Sequence, residues 1–249
     1  MSMRSDSEDL VLSKAVTIIY EDEDVFAVNK PAGLVVHADG RTVESTLSDW
    51  VLEKHPALKD VGGMHTLDMG RYAPRAGILH RLDRETSGVI IIAKNDEAFY
   101  FIQRQFLDHS IKKIYNAFVE GIPEPQEGDI NFSIGRSRSD YRQWTTGALA
   151  RGTLRDALTH YKVERTGSGY AYLTLSPQTG RTHQLRVHMK ALGYPILCDT
   201  RYESPPALGF TRLALHASEL SFQNTKQHKL TIKAPLPADF LSALGEISK

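Results

Sequence analysis

Short apolar runs, punctuated by Gly, Pro and acidic turns, fill most of this chain, and helical spacing occurs in only a few places. Residues 16–20 and 25–29 read as two strands joined by the acidic turn EDED, with Pro31 and Gly33 ending the second. Ser45 is the expected cap of a helix in which Leu47, Trp50, Val51 and Lys54 keep helical spacing, and Pro56 stops it. Residues 60–75 are Gly-rich and unpatterned, which predicts a loop. Residues 88–93 (GVIIIA) form a continuous branched run, as expected of a strand buried on both faces. Asp96 then opens a helix with Ala98, Phe101, Ile102, Gln105 and Phe106 along one side. Residues 114–119 read as a strand. Residues 126–155 are polar, basic and weakly patterned, and predict no defined elements. Strands follow at 158–164 and 170–175 around a GSG turn, then a helix over 182–192 closed by Gly193 and Pro195. Residues 213–216, 220–222 and 229–233 give late strands, and a short helix ends the chain. The pattern predicts an α+β fold with a largely antiparallel sheet flanked by helices, as one domain over 16–249 behind an acidic tail over 1–15.

Composition narrows this little. The 249 residues are 41% hydrophobic and 24% charged, which excludes a disordered chain, a collagen-like chain and a coiled-coil rod. A single cysteine, Cys198, cannot form an internal disulfide and predicts a reducing compartment. No apolar run approaches a membrane span, and the first ten residues do not read as a signal peptide, so a cytoplasmic protein with no membrane partner is expected. Net charge is zero, from 30 basic and 30 acidic side chains, which by itself argues mildly against a polyanionic ligand. The distribution argues the other way. Residues 1–25 carry two basic against seven acidic side chains, while 136–165 carry seven basic against three acidic, and 71–94 five against two. A basic face of this kind suits RNA or phosphate, and ordinary solvated charge suits it equally well.

Two polar clusters are candidates for chemistry. His80, Arg81, Leu82, Asp83, Arg84, Glu85, Thr86, Ser87 and Gly88 sit at the mouth of the most apolar strand, where a scaffold can fix side chains that a loop keeps accessible. Asp83 between two arginines is a candidate carboxylate nucleophile, and the same residues also read as a surface ion-pair cluster. The second cluster is TGRTHQLRVHMKALGYP, residues 179–195. With Thr182, Leu185, Met189 and Leu192 as the buried stripe, Arg186 falls about 100° from Leu185, at the stripe's edge. There it needs an anionic partner or must snorkel outward. His183 and His188 are about 140° apart around a helix, not on one metal-binding face. His80 beside Asp83 lacks a Ser or Cys nucleophile, and no phosphate-cradling Gly motif is present. Neither a metal nor a nucleotide cofactor is expected.

The motifs VNKPAGLVVH (28–37), GILHRLDRETSGVIIIAK (77–94), KKIYNAFVEG (112–121), TGRTHQLRVHMKALGYPILCD (179–199) and RLALHASEL (212–220) resemble, in order and spacing, those of the RluA-type pseudouridine synthases. HRLDRETSG is highly specific by itself. The resemblance implies isomerisation of uridine to pseudouridine in RNA, without cofactor or metal, on a mixed and largely antiparallel sheet with a central cleft. Motif by motif it implies Asp83 as the catalytic aspartate and Tyr115 as the tyrosine that stacks on the flipped base. It makes Arg186 the basic residue paired with Asp83, and Arg81 a residue that fills the gap left in the RNA stack. With these go Lys30, His80, Arg84, Arg181, His183 and Gln184 as RNA- or substrate-binding residues. Cys198 stands where the family usually has Gly before Asp199, which threatens a local turn. The small N-terminal RNA-binding domain of many relatives is missing from this sequence, so the target, ribosomal or transfer RNA with a structured stem-loop, is expected to be chosen by the catalytic domain, acting as a monomer. A non-catalytic RNA-binding protein on the same fold is the competing class. It would be expected to have lost the aspartate, tyrosine or arginine, and all three are present.

Overall fold

In the computed structural model, the structure describes residues 15–38, 44–66 and 70–247. The acidic tail expected over 1–15 lies outside them except for its last residue. The chain divides into two compact units, one of Met1–Ile111 with Glu219–Ala234, the other of Lys112–Ser218 with Pro235–Lys249.

The first unit is built on three antiparallel strands, β1 (Thr17–Glu21), β2 (Val25–Lys30) and β5 (Ser87–Ala93), with β2 pairing both β1 and β5. All seven residues of β5 are buried, as its unbroken apolar run predicts. Helix α1 (Leu47–Lys54) is capped by Thr46, one residue beyond the expected Ser45, through a reciprocal capping box with Asp49. Helix α2 (Asp96–Leu107) is capped by the Asn95 side chain and buries Ala98, Phe99 and Ile102 against Val89, Ile91 and Ala93 of β5. Between them, the expected loop over 60–75 holds a small hairpin, β3 (Met64–Thr66) with β4 (Tyr72–Pro74). Its strands are three residues long and mostly exposed, too short to leave a period-2 signal.

The second unit orders its strands β6 (Lys112–Glu120), β12 (Tyr170–Pro177), β11 (Thr159–Gly167) and β7 (Glu127–Ile130), all antiparallel. The β11–β12 hairpin closes through Ser168 and Gly169, both at positive φ, the two-residue turn that matches strand twist. The weakly patterned 126–155 stretch contains β7 and a separate three-stranded sheet of β8 (Ile134–Ser137), β9 (Trp144–Thr146) and β10 (Ala150–Arg155). Helix α3 runs from Gln184 to Ala191, starting two residues later than expected because His183 takes the left-handed conformation (φ 55°). Thr182, expected in the buried stripe, is exposed, while every residue from Gln184 to Met189 is buried. The reason is packing on several sides: Leu185 and Met189 join the main core, and Val187 meets Ile134, Ala157 and Tyr202. Residues 213–216 and 220–222, expected as two strands, form one, β13 (Leu215–Gln223), whose latter part pairs with β14 (Lys229–Lys233). Helix α4 (Ala238–Ile247) packs Phe240 against Phe118 and Phe210.

Candidate active-site residues

Asp83 belongs to the first unit, and Tyr115 and Arg186 to the second. Around Asp83 the backbone is pinned at both ends. Upstream, Gly77 (φ 71°) donates its N–H to Val61, and its own carbonyl accepts from Ala93. A Cβ at Gly77 would stand 2.2 Å from the Ala93 carbonyl oxygen, so only Gly allows the loop to lie this close to the end of β5. Leu82 is buried, and Asp83 is half-buried with its carbonyl accepting from Thr86 N–H at 3.1 Å.

Lys30, expected as an RNA contact, is fully buried. Its ammonium donates to the carbonyls of Pro31 (2.8 Å), Leu34 (2.8 Å) and Arg84 (3.2 Å). The Arg84 carbonyl also accepts from Gly33 N–H at 2.7 Å, so the KPAG turn and the HRLDRE loop are tied together from beneath. Lys30 thus helps to position the loop, since a buried cation must be compensated and these backbone oxygens accept its donors. Arg84, half-buried, makes a two-pronged ion pair with Glu44 (2.5 and 2.6 Å), which fixes its guanidinium on a protein carboxylate. His80 accepts the Ile91 N–H on Nε2 (3.1 Å) and stacks on Phe106, a packing role in which Nε2 carries no proton. Arg81 is exposed, as a residue meant to reach RNA must be. Nearby, His37 and His65 lie ring against ring (4.3 Å). Burial, His65, Arg81 and Arg75 together push the His37 imidazole down to about 3, and burial with the same arginines lowers His65.

In the second unit, Tyr115 is half-buried on β6, opposite Leu175 of β12, and packs on the main core. Two residues before it, Lys113 donates to the Thr179 carbonyl (3.2 Å), and burial lowers its pKa to about 8. The TGRTHQ loop is organised by Gln184, another expected RNA contact that is instead buried. Its Oε1 accepts from Thr179 Oγ1 (2.7 Å) and Arg181 N–H (3.0 Å), and its Nε2 donates to Leu158 O and Thr159 Oγ1 (both 3.0 Å). All four hydrogen-bonding positions of that amide are used inside the protein. Arg181, half-buried, donates from Nε to the Asp156 carbonyl (2.9 Å).

Arg186 is not at the edge of a stripe; it is buried within the helix packing. Its Nε and Nη2 grip Asp199 Oδ2 and Oδ1, both at 2.7 Å. Its guanidinium lies 5.1 Å from the ring centroid of Tyr202. Asp199 in turn accepts from Arg201 N–H and Tyr202 N–H (both 3.2 Å), and the Tyr202 hydroxyl joins His183 Nδ1 (2.9 Å) and the Trp144 N–H (3.2 Å). His183, at a left-handed backbone position, thus has one ring nitrogen on Tyr202. Asp199 and Tyr202 were missed as site residues. The LCD motif contained the aspartate, but nothing in its spacing says that it faces Arg186. His188, the other candidate metal ligand, is satisfied by Thr159 Oγ1 (2.9 Å) and the Phe132 carbonyl (3.0 Å). Cys198 adopts φ 58°, the conformation in which Gly is free of strain and a side chain is not, so the departure from the family's usual Gly falls where it costs most locally.

The chain is similar to known proteins in sequence and in fold. The family model "RNA pseudouridylate synthase" matches residues 24–191. An uncharacterised RNA pseudouridine synthase of Synechocystis is 35% identical over 227 residues, 90% of this chain and 66% of that protein. One of Bacillus subtilis is 33% identical over 93% of this chain and 73% of its own length. Ribosomal large subunit pseudouridine synthase D of Neisseria meningitidis serogroup B is 37% identical, over 93% of this chain but 61% of its own length. The chain thus spans about two thirds of these relatives. Among solved structures, human RNA Pseudouridylate Synthase Domain Containing 1 matches with TM-score 0.71 at 25% identity, over 95% of this chain and 87% of that one. The human Domain Containing 4 protein, at 24% identity and TM-score 0.72, shares the fold. With the model spanning the lysine turn, the aspartate's loop, the tyrosine strand and the arginine helix, the chain belongs to the RNA pseudouridylate synthase family.

Proposed function

We propose that this chain isomerises uridine to pseudouridine in structured RNA, with Asp83, Tyr115 and Arg186 as its catalytic residues. The observation that supports this best is the cradle around Asp83. A buried lysine, a tight turn and a close-approach glycine hold one half-exposed carboxylate, and its loop belongs to a motif that the family model covers. In the reaction the N1–C1′ bond breaks, the uracil turns, and a C5–C1′ bond forms. The C5 hydrogen leaves to solvent and N1 ends with a hydrogen. The aspartate acts as nucleophile at C1′ or as the base that takes a sugar proton; either route needs the ionised carboxylate. Tyr115 offers an aromatic face to the detached base, which must be retained while it turns. Arg186, immobilised by Asp199, supplies fixed positive charge that needs no reorganisation. Arg81, exposed beside the aspartate, fills the space that the base leaves in the stack.

The substrate class we favour is ribosomal RNA, on the name of the Neisseria relative, with transfer RNA as the second target to test. Tritium release from C5-labelled uridine in either RNA measures the reaction. Wild type is expected to release tritium, and Asp83→Asn and Asp83→Ala to release none while still binding RNA. Activity within tenfold of wild type in either variant would overturn the role of Asp83.

A further inference from the structure

The three-stranded sheet β10–β8–β9 takes no part in the chemistry above, and it carries an energetic oddity. Arg136 on β8 and Arg151 on β10 are register partners, so their side chains leave the same face directly opposite each other, and both are exposed. Like charges in that position repel and destabilise the pair. The next residue across, Trp144 on β9, is the register partner of Arg136 on its other side, and the Arg136 guanidinium sits over its ring at 4.6 Å. Arg136 is further fixed by donating from Nη1 to the Tyr141 carbonyl (2.7 Å). The acids within this stretch are engaged elsewhere: Asp140 holds Arg142 in a fork (3.1 and 3.0 Å), and Asp156 accepts from Ser133 (2.9 Å). Arg138, another arginine of the segment, donates from Nε to the Ala150 carbonyl (2.8 Å). Two exposed arginines thus leave one face of the sheet, Arg136 with its guanidinium turned toward Trp144 of β9 and Arg151 on β10.

We propose that Arg136 and Arg151 form a clamp for the RNA phosphate backbone, a sequence-independent docking face of the second unit. The proposal rests on the reading of this chain as an RNA-modifying enzyme and adds the surface by which a molecule of zero net charge holds a polyanion. Each guanidinium, leaving the same face from a neighbouring strand, offers donors to a phosphate oxygen of a backbone lying across that face. The clamp also explains why the segment is folded as a sheet: strand pairing sets the spacing of the two charges, which a loop would not.

The test separates binding, stability and turnover. Bulk transfer RNA and a ribosomal RNA fragment are titrated against wild type and the Arg136→Gln/Arg151→Gln double variant across a salt series. The variant is expected to bind both RNAs more weakly, by about tenfold, with the slope of log K against log salt shallower by about 0.7–0.9 for each phosphate that it no longer neutralises. Tritium release at saturating RNA keeps its kcat while KM rises. Arg151→Gln alone, which leaves Arg136 over the Trp144 ring, is expected to raise the unfolding midpoint in the absence of RNA. Unchanged RNA affinity across the salt series overturns the proposal, and so does a lowered midpoint in Arg151→Gln, since the pair would then be structural. An RNA affinity that survives while binding of polyglutamate disappears overturns it as well, because the face would then serve an acidic protein partner. Wild type that binds RNA in this way yet releases no tritium refutes the pseudouridine reading and leaves the clamp standing.

Discussion

Lys30 and Cys198 show how much a single position can carry. Lys30 is a charge with no exposure, kept because three carbonyls take its three N–H donors. Lys30→Met fits the volume but orphans those oxygens, so it should lower stability by about 1–3 kcal/mol. It should also lower kcat more than KM, since the Arg84 carbonyl, one residue after Asp83, loses one of its two donors and keeps only Gly33 N–H. Denaturant unfolding beside tritium release checks both, and Lys30→Arg should not rescue, because a planar fork cannot reproduce a compact three-donor head. At Cys198 the side chain is buried and the backbone left-handed. Left-handed residues with a Cβ cost about 1–2 kcal/mol, and β-branched ones more. Cys198→Val should therefore unfold at lower denaturant than Cys198→Ala, although valine is the more apolar residue. The reverse order would show that packing outweighs backbone conformation here.

At the scale of elements, helix α3 and the turn after it form one device. Burying Arg186 is possible only because Asp199 meets it with two short hydrogen bonds and has its own oxygens satisfied by the turn. Removing one partner of such a pair leaves an uncompensated buried charge, at a cost of about 3–5 kcal/mol. Asp199→Asn keeps the shape and removes the charge, so it should lower thermal stability and sharply reduce kcat, with RNA affinity little changed. Normal turnover in a folded Asp199→Asn protein would show that Arg186 needs no carboxylate to hold it. The sequence placed this helix to within two residues at its start and named its arginine. It misjudged the helix as amphipathic, because periodicity sees the residues on the helix and not the elements that pack on its second side. The same limit hid the β8–β9–β10 sheet: β8 and β9 are only four and three residues long, and β10 is exposed after its first residue, so no hydrophobic alternation marked them.

For the molecule as a whole, the acid limb of stability is set in part by the histidine stack. An unfolded His37 takes a proton near its ordinary 6.5, whereas the folded one resists until about 3. Between those values the unfolded state binds more protons, so stability must fall as pH falls. His65 is lowered too and adds in the same direction. The midpoint of urea unfolding should drop steadily from pH 6.5 towards 3 in wild type, and less steeply in the His37→Gln/His65→Gln double variant. Parallel curves for the two proteins would remove the stack from the account. At the alkaline end Lys113, lowered from 10.5 to about 8, works in the same sense. Its unfolded form holds the extra proton between those values, so its contribution to stability rises with pH across that window.

Local chemistry was legible along the chain: the buried run of β5, the Asp96 helix start, the GSG hairpin turn, and the motifs that place Asp83, Tyr115 and Arg186. These depend on residues close in sequence, where branching, capping and turn preferences act directly. Which polar residues face RNA and which hold the protein together was not legible, because that depends on partners far along the chain. Lys30 meets a carbonyl 54 residues away, and Gln184 one 26 residues away. Arg84 is matched by Glu44, 40 residues distant. A polar side chain inside a protein must be satisfied, and only the tertiary structure decides by whom.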